Sequence, residues 1–219
     1  MPDAPLVETR GITIEAPPAA VWPWLVQMGY GRGGWYSYDR MDNDAASADR
    51  ILPEFQSRSV GDVMPTWQGG GFQVAAIDPG RSLTLYLDTP IVRAQQEASM
   101  QTLPEALTPG IKAAGVMGEF RMPDFKAIWT FVLEPVGGPR TRVIERMRAW
   151  APEPNAAQKL ALPIFGVGVF LMTRKQLLGL KERIERSGVG GLGADIPPQG
   201  RPAPVPDLIE ASEEAAAPA

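Results

Sequence analysis

Residues 21–39 read VWPWLVQMGYGRGGWYSYD, and this stretch decides how the fold is interpreted. It begins as an apolar helix, passes through a glycine-rich turn and ends in a cluster of rings that Asp39 closes. Burying apolar surface stabilises a protein, so this much ring area is not expected in a surface loop. We therefore interpret the stretch as one wall of a cavity. Five of its large rings are Trp22, Trp24, Trp35, Tyr36 and Tyr38.

The glycines between Gly29 and Gly34 fit the pattern G-x-G-x-x-G. A dinucleotide site of this kind needs a strand before the glycines and a helix after them. Here a predicted helix comes first, and WYSYD, which favours a helix poorly, follows. We interpret the glycines as a helix cap followed by a turn, with Gly29 in a left-handed conformation.

The chain has no histidine and no cysteine. This composition excludes a Ser-His-Asp triad, a thiol nucleophile and a zinc-thiolate site. Acid-base chemistry would have to use Asp, Glu, Tyr or Lys. Asp39, Asp42 and Asp44 lie close together, but no glutamate follows at the spacing of a calcium loop. We expect no metal and no cofactor.

The net charge of -4 belongs to the end of the chain. Residues 188–219 hold one basic and five acidic groups, so residues 1–187 hold twenty of each. A body without a basic field gives no reason to expect nucleic acid as a partner. Eleven of the last 32 residues are Gly or Pro, which favours a disordered acidic tail over 188–219 and one folded domain over 1–187.

The N-terminal sequence MPDAPLVETR lacks the basic and apolar regions of a secretory signal. The longest apolar run, residues 160–172, is shorter than the roughly 18 residues that a spanning helix needs. We therefore expect a cytoplasmic protein without a transmembrane segment. A basic amphipathic helix near the C-terminus leaves peripheral membrane contact open.

Alternating apolar and polar residues predict strands over 9–15, 72–78, 82–88, 128–134 and 141–150. Helical spacing predicts a long helix over 160–186, regular only from about Val169 because Pro163, Gly166 and Gly168 precede it. These elements together indicate an α+β fold with an antiparallel sheet.

Several motifs occur in a characteristic order: ITIEAPPAAVWPWLVQMG, RGGWYSYD, ADRILPEFQ, VGD, IWTFVLEP and TRVIERMR. In this order they resemble bacterial members of the SRPBCC superfamily, the START-like and polyketide cyclase-like helix-grip proteins. The resemblance covers roughly residues 9–88 and 125–186. It implies a curved antiparallel sheet wrapped around a long C-terminal helix, two short helices after the first strand, and a largely apolar cavity. The segment 89–124 is longer than the usual connection and is interpreted as an insertion or a lid.

The candidate site combines one carboxylate with several rings. Asp39, if desolvated beside the rings, is the candidate catalytic acid or base. The strand 141–150 offers either Glu145 or the pair Arg146 and Arg148 to the cavity, and Val143 beside Ile144 leaves its phase open. The rings expected to contact a ligand are Trp35, Tyr36, Tyr38, Trp67, Tyr86 and Trp129.

Three functions fit these observations. The first is binding of a small hydrophobic molecule, such as a lipid, a polyketide or an aromatic metabolite. The second is a cyclase or dehydratase activity in which Asp39 removes a proton next to a carbonyl. The third is an interaction module that works through the basic C-terminal helix or the acidic tail. The oligomeric state is not predicted.

Overall fold

The computed structural model describes residues 4–43, 45–67, 70–90, 92, 124–151 and 156–188. The first part of the chain forms β1 (Leu6–Ile14), α1 (Pro18–Val26), α2 (Asp39–Asp42) and a 3-10 turn at Pro53–Phe55. The strands β2 (Val63–Trp67), β3 (Gly70–Asp78), β4 (Ser82–Asp88), β5 (Lys126–Pro135) and β6 (Thr141–Trp150) follow. The long helix α3 (Ala156–Arg186) comes last.

The strands form one antiparallel sheet in the order β1-β6-β5-β4-β3-β2. The first strand therefore pairs with the last, which places Arg10 opposite Glu145. This arrangement confirms the predicted α+β class, the antiparallel sheet and the long C-terminal helix. Because β1 and β2 are the outer strands of this sheet, each has one edge along which no strand of the described ranges lies.

The period-two pattern explains which face of the sheet is buried. Leu83, Leu85 and Leu87 of β4 are buried, and in β5 the alternate residues Ala127, Trp129, Phe131 and Leu133 are buried as well. The register sets these residues side by side, with Leu85 opposite Trp129. We call this the inner face of the sheet. The residues between them, on the other face of β4 and β5, are mostly half-buried, which agrees with the alternation of the sequence.

The apolar start of the 21–39 stretch forms α1 and enters the core. Val21, Trp24 and Leu25 are almost completely buried. Pro18 lies in the first turn, where a missing N–H is tolerated, and Pro23 lies inside the helix. The Arg58 guanidinium donates to the carbonyl oxygens of Val26 and Met28 at distances of 2.9 and 3.0 Å. A cation in this position stabilises the negative end of α1.

The helix α3 begins at Ala156, earlier than predicted, because Pro163, Gly166 and Gly168 do not break it. Leu177, Leu180 and Ile184 are buried apolar side chains of this helix, and the polar Thr173 and Gln176 are buried as well. Three hydrogen bonds hold the C-terminal half of the helix. Lys181 Nζ donates to the Thr13 carbonyl at 2.7 Å, and Glu185 accepts from the Glu15 N–H at 2.8 Å. Arg183 Nε donates to the Ala48 carbonyl at 2.9 Å.

Most of the predicted insertion 89–124 lies outside the described residues, and so does the predicted tail beyond Gly188. The two ends of the insertion meet, because Thr89 Oγ1 accepts from the Phe125 N–H at 2.9 Å. None of the helices in the described ranges is long and apolar enough to cross a membrane.

Candidate functional site

The structure settles the phase of β6. Thr141, Val143 and Glu145 are buried on the inner face, whereas Arg142 and Arg146 are exposed. Arg146 Nε donates to Thr9 Oγ1 at 2.9 Å on the outer side of the sheet. Of the two sets that the sequence left open, the one containing Glu145 faces inward. Arg148 follows the alternation of Arg146 and is half-buried.

Glu145 is the buried carboxylate at the centre of the candidate site, with 1% of its surface exposed. Its Oε1 accepts a hydrogen bond from Trp129 Nε1 at 2.9 Å, and its Oε2 has no hydrogen-bond partner in the described part of the chain. Burial raises the pKa of Glu145 to about 7, although the Trp129 hydrogen bond and the charge of Arg10 act in the opposite direction. A carboxyl with a pKa near neutrality can both donate and accept a proton.

Arg10 connects this carboxylate to the C-terminal helix. It lies opposite Glu145 in the register, and its Nη2 forms an ion pair with Glu8 Oε2 at 2.7 Å. Its guanidinium also lies 5.2 Å from the centre of the Phe170 ring of α3. The inner side of β1 therefore carries the charged Glu8 and Arg10 before Ile12 and Ile14, which pack in the core.

The tryptophans of the candidate site pack on one another. Trp35 and Trp129 stack with their ring centres 5.4 Å apart and an angle of 10° between the planes. Phe72 meets Trp129 edge-on at 5.4 Å, and Phe131 lies 5.1 Å from it. We call these four residues the aromatic cluster. It joins the glycine-rich stretch to the inner face of the sheet next to Glu145.

Tyr36 is completely buried, and its contacts are structural. Its hydroxyl donates to the Trp24 carbonyl at 2.9 Å, and the Arg183 guanidinium lies 5.3 Å from the ring centre. Burial raises the pKa of Tyr36 well above its usual range. Tyr38, by contrast, is 42% exposed. The side chain of Trp67 lies outside the described part of the chain.

Asp39 is the first residue of α2 and is half-buried. Its Oδ1 accepts a short hydrogen bond from Ser47 Oγ. The same Ser47 oxygen accepts from the Tyr36 N–H at 3.0 Å. Asp39 thus takes part in the network that holds the loop between Tyr36 and Ser47.

Tyr86 lies on the opposite side of β4 from Leu85 and Leu87 and is half-buried. Its hydroxyl donates to Asp88 Oδ2 at 3.1 Å, and Lys126 Nζ lies 3.4 Å from the same oxygen. Burial and the Asp88 carboxylate raise the pKa of Tyr86 to about 12. These contacts place Tyr86 on a different face of the sheet from Glu145.

A cleft of about 350 Å³ opens between β1 and α3. The sequence pointed to the helix but not to β1 as part of a site. One signal was available, because Arg10 has the same alternation as Ile12 and Ile14 and so belongs on the inner side of that strand. The cleft is lined by Arg10, Gly11, Ile12, Phe170, Arg174, Leu177 and Leu178. Within the described ranges, no three acidic side chains are grouped so that they could hold a metal ion.

No family model matches the chain, and no curated protein matches its sequence. Among solved structures, a conserved protein from Geobacillus kaustophilus is similar at 11% identity and a TM-score of 0.41, with 83% of this chain and 97% of that chain covered. A protein from Mesorhizobium loti is similar at 15% identity and a TM-score of 0.42, with 84% and 99% covered. A protein from Rhizobium loti is similar at 14% identity and a TM-score of 0.39, with 81% and 96% covered. Similarities at this level carry no argument about function.

Proposed function

We propose that this chain binds a small hydrophobic molecule, such as a lipid, a polyketide or an aromatic metabolite, between its sheet and its C-terminal helix. The proposal includes the helix-grip arrangement of the SRPBCC superfamily, in which the sheet curves around that helix. One observation carries it: the cleft of about 350 Å³ between β1 and α3. Sites for small molecules measure about 300–1,000 Å³ and combine apolar walls with a few polar groups.

The residues around the cleft fit this description. Ile12, Phe170 and Leu177 supply apolar surface, and Arg10 supplies a polar group. Glu145 does not line the cleft; it lies opposite Arg10 on the neighbouring strand and is buried. The polar groups that reach the cleft are therefore few, and a few suffice to orient a ligand.

Native mass spectrometry of the protein purified from its own host tests the proposal. We expect a bound mass of a few hundred daltons. Leu178→Trp is the test variant, because Leu178 lines the cleft and is 39% exposed, so a larger ring can occupy the cleft without entering the core. Leu171→Trp is the matched control, because Leu171 is 46% exposed on the same helix and does not line the cleft.

The expected pattern is a ligand on the wild type and on L171W and none on L178W. A ligand retained by L178W would place the binding site elsewhere. If all three proteins lacked a ligand, both from the host and after incubation with a hydrophobic extract, the binding function would be wrong.

A second candidate is an enzyme of cyclase or dehydratase type that takes a proton from a carbon next to a carbonyl. One observation favours it: Glu145 is a buried carboxyl with one unpaired oxygen and a pKa near neutrality. Asp39 is the other candidate base, and its contact with Ser47 orients it. The enzyme hypothesis predicts turnover of polyketide-like substrates that is lost in E145Q or in D39N. Unchanged turnover in both variants would remove the hypothesis.

A further inference from the structure

We infer that the cleft between β1 and α3 binds an amphiphilic anion, with Arg174 holding a carboxylate or sulfonate head and the apolar walls holding the body. This inference rests on the proposed function and adds the charge and the size of the ligand. Four features of the cleft support it: an uncompensated cation, a neutralised second cation, an exposed strand edge and a small volume.

Arg174 is the uncompensated cation. It lines the cleft, is exposed, and has no ion pair or hydrogen bond to any described residue. Other cations of the same helix are engaged, since Lys181 pairs with Glu185 at 2.9 Å and Arg186 pairs with Glu182. An arginine guanidinium presents a planar set of donors that matches a carboxylate or a sulfonate.

Arg10 lines the cleft but adds no net positive charge to it. Its guanidinium is already paired with Glu8 at 2.7 Å and lies over the Phe170 ring. The next carboxyl inward, Glu145, is buried and costly to ionise. The charges around the cleft therefore leave one positive charge, that of Arg174, which favours an anion over a cation.

The edge of β1 adds backbone groups. The Thr13 carbonyl accepts from Lys181 of α3, so the backbone of Thr13 faces the edge of the sheet next to the helix. Alternate residues of an antiparallel strand point their N–H and C=O groups to the same edge, which directs the Gly11 N–H toward the cleft. Gly11 lines the cleft and has no side chain to shield this donor from a ligand.

The volume limits the body of the ligand. About 350 Å³ lies near the lower end of the range for small-molecule sites. Ile12, Phe170 and Leu177 line this space, which is partly open to solvent. A single short chain or a two-ring or three-ring body fits within it.

The test uses two fluorescent probes that share one ring system. The anionic probe is 8-anilinonaphthalene-1-sulfonate, and the neutral probe is N-phenyl-1-naphthylamine, which lacks only the sulfonate. Each is titrated into the full chain at low salt. We expect the anionic probe to bind at one site and about threefold to fivefold more tightly than the neutral probe, because an ion pair with an exposed guanidinium at low salt has an effect of about this size.

Matched variants assign the charge. Arg174→Gln should weaken binding of the anionic probe about threefold to fivefold and change binding of the neutral probe by less than about twofold. Lys175→Gln removes the same charge from the next residue, which is exposed and does not line the cleft, and should change neither probe by more than about twofold. Both residues are exposed, so both variants should fold.

Two results separate this inference from the proposed function. If both probes bind equally well and R174Q behaves like K175Q, the anionic head is wrong while binding of a hydrophobic body stands. If neither probe binds at one site, or if Leu178→Trp leaves both affinities unchanged, the cleft is not a binding site and both proposals fail.

Discussion

The indole Nε1 of Trp129 donates a hydrogen bond of 2.9 Å to Oε1 of Glu145, while Oε2 of the same carboxyl has no partner among the described residues. The hydrogen bond thus stabilises one oxygen of the ionised carboxylate, whereas the other oxygen has lost its hydration and gained no hydrogen bond. A single hydrogen bond does not offset this cost, so burial raises the pKa of Glu145 to about 7. The ionised form of this group therefore destabilises the folded protein.

This carboxyl makes the stability of the protein depend on pH. The folded-state pKa of about 7 lies above the ordinary value of 4.5, so the folded state binds more protons than the unfolded state between these values. The free energy of unfolding should therefore fall as the pH rises from about 4.5 to 7 and stay low above that range. The loss attributable to Glu145 is about 3 kcal/mol, and urea titrations at several pH values measure it.

Glu145→Gln isolates this contribution, because the amide does not titrate in this range. The difference in the free energy of unfolding between wild type and E145Q should vary with pH between about 4.5 and 7 and be constant above about 8. Glu134→Gln is the matched control, because Glu134 is exposed at the end of β5. The free energy of unfolding of E134Q should depend on pH in the same way as that of the wild type. A constant difference between wild type and E145Q over the whole range would show that Glu145 has an ordinary pKa.

The hydrogen bond from Trp129 can be separated from the stacking of the rings. Trp129→Phe removes the donor and part of the stack, whereas Trp35→Phe removes part of the same stack and keeps the donor. Both variants should lose about 1–3 kcal/mol of stability from the smaller ring. Only W129F should move the midpoint of the pH dependence upward, because the ionised Glu145 then loses its hydrogen bond. Equal midpoints in the two variants would contradict this role of the indole.

Much of the sheet could be predicted from alternation alone, because β4 and β5 bury every second residue. The phase of β6 could not, since Val143 and Ile144 are both apolar and adjacent. Its phase depends on tertiary contacts: Arg146 bonds Thr9 on the outer side, and Glu145 bonds Trp129 on the inner side. The sequence alone does not choose between the phases, because one buries Glu145 and the other buries Arg142, Arg146 and Arg148, and a buried charge is costly in either case until its partner is known.

The positions of the predicted site residues also depend on tertiary contacts, which the sequence alone does not show. Two of the rings expected to contact a ligand, Trp35 and Trp129, stack on each other in the core, and neither lines the cleft between β1 and α3. The sequence could not show that Tyr36 would turn to the Trp24 carbonyl or that Tyr38 would be exposed. Tyr36 has a positive φ of 60°, which reverses the direction of the chain between these neighbouring rings.

The contact between Gly179 of α3 and Tyr36 gives a prediction about packing. A Cβ atom at residue 179 would lie 2.0 Å from the Tyr36 carbonyl oxygen, a distance at which backbone must move. Gly179→Ala should therefore destabilise the protein by more than about 2 kcal/mol, although alanine favours a helix by about 1 kcal/mol. Chemical denaturation measures the change.

Gly166→Ala is the matched control for this prediction. Gly166 lies in the same helix, and a Cβ atom there meets nothing within 4 Å. The variant should be unchanged or stabilised by up to about 1 kcal/mol through helix propensity alone. If G179A were as stable as G166A, the close approach of α3 to the Tyr36 carbonyl would be wrong.

The contact between Asp39 and Ser47 decides whether this carboxylate has a structural role. Ser47 Oγ donates to Asp39 Oδ1 and accepts from the buried Tyr36 N–H, so the three groups hold one loop. Asp39→Ala and Ser47→Ala should each destabilise the protein, S47A by about 1–3 kcal/mol because it leaves the Tyr36 N–H unpaired. In the double variant D39A/S47A the loss of stability should be smaller than the sum of the two single losses by about 1 kcal/mol, since each change alone already breaks the shared hydrogen bond.

Ser37→Ala is the control partner, because Ser37 Oγ donates to the Met172 carbonyl and not to Asp39. The loss of stability in S37A should therefore add to that in D39A. Additive losses in the D39A and S47A cycle would leave Asp39 without this structural role and strengthen its case as the acid or base of an enzyme.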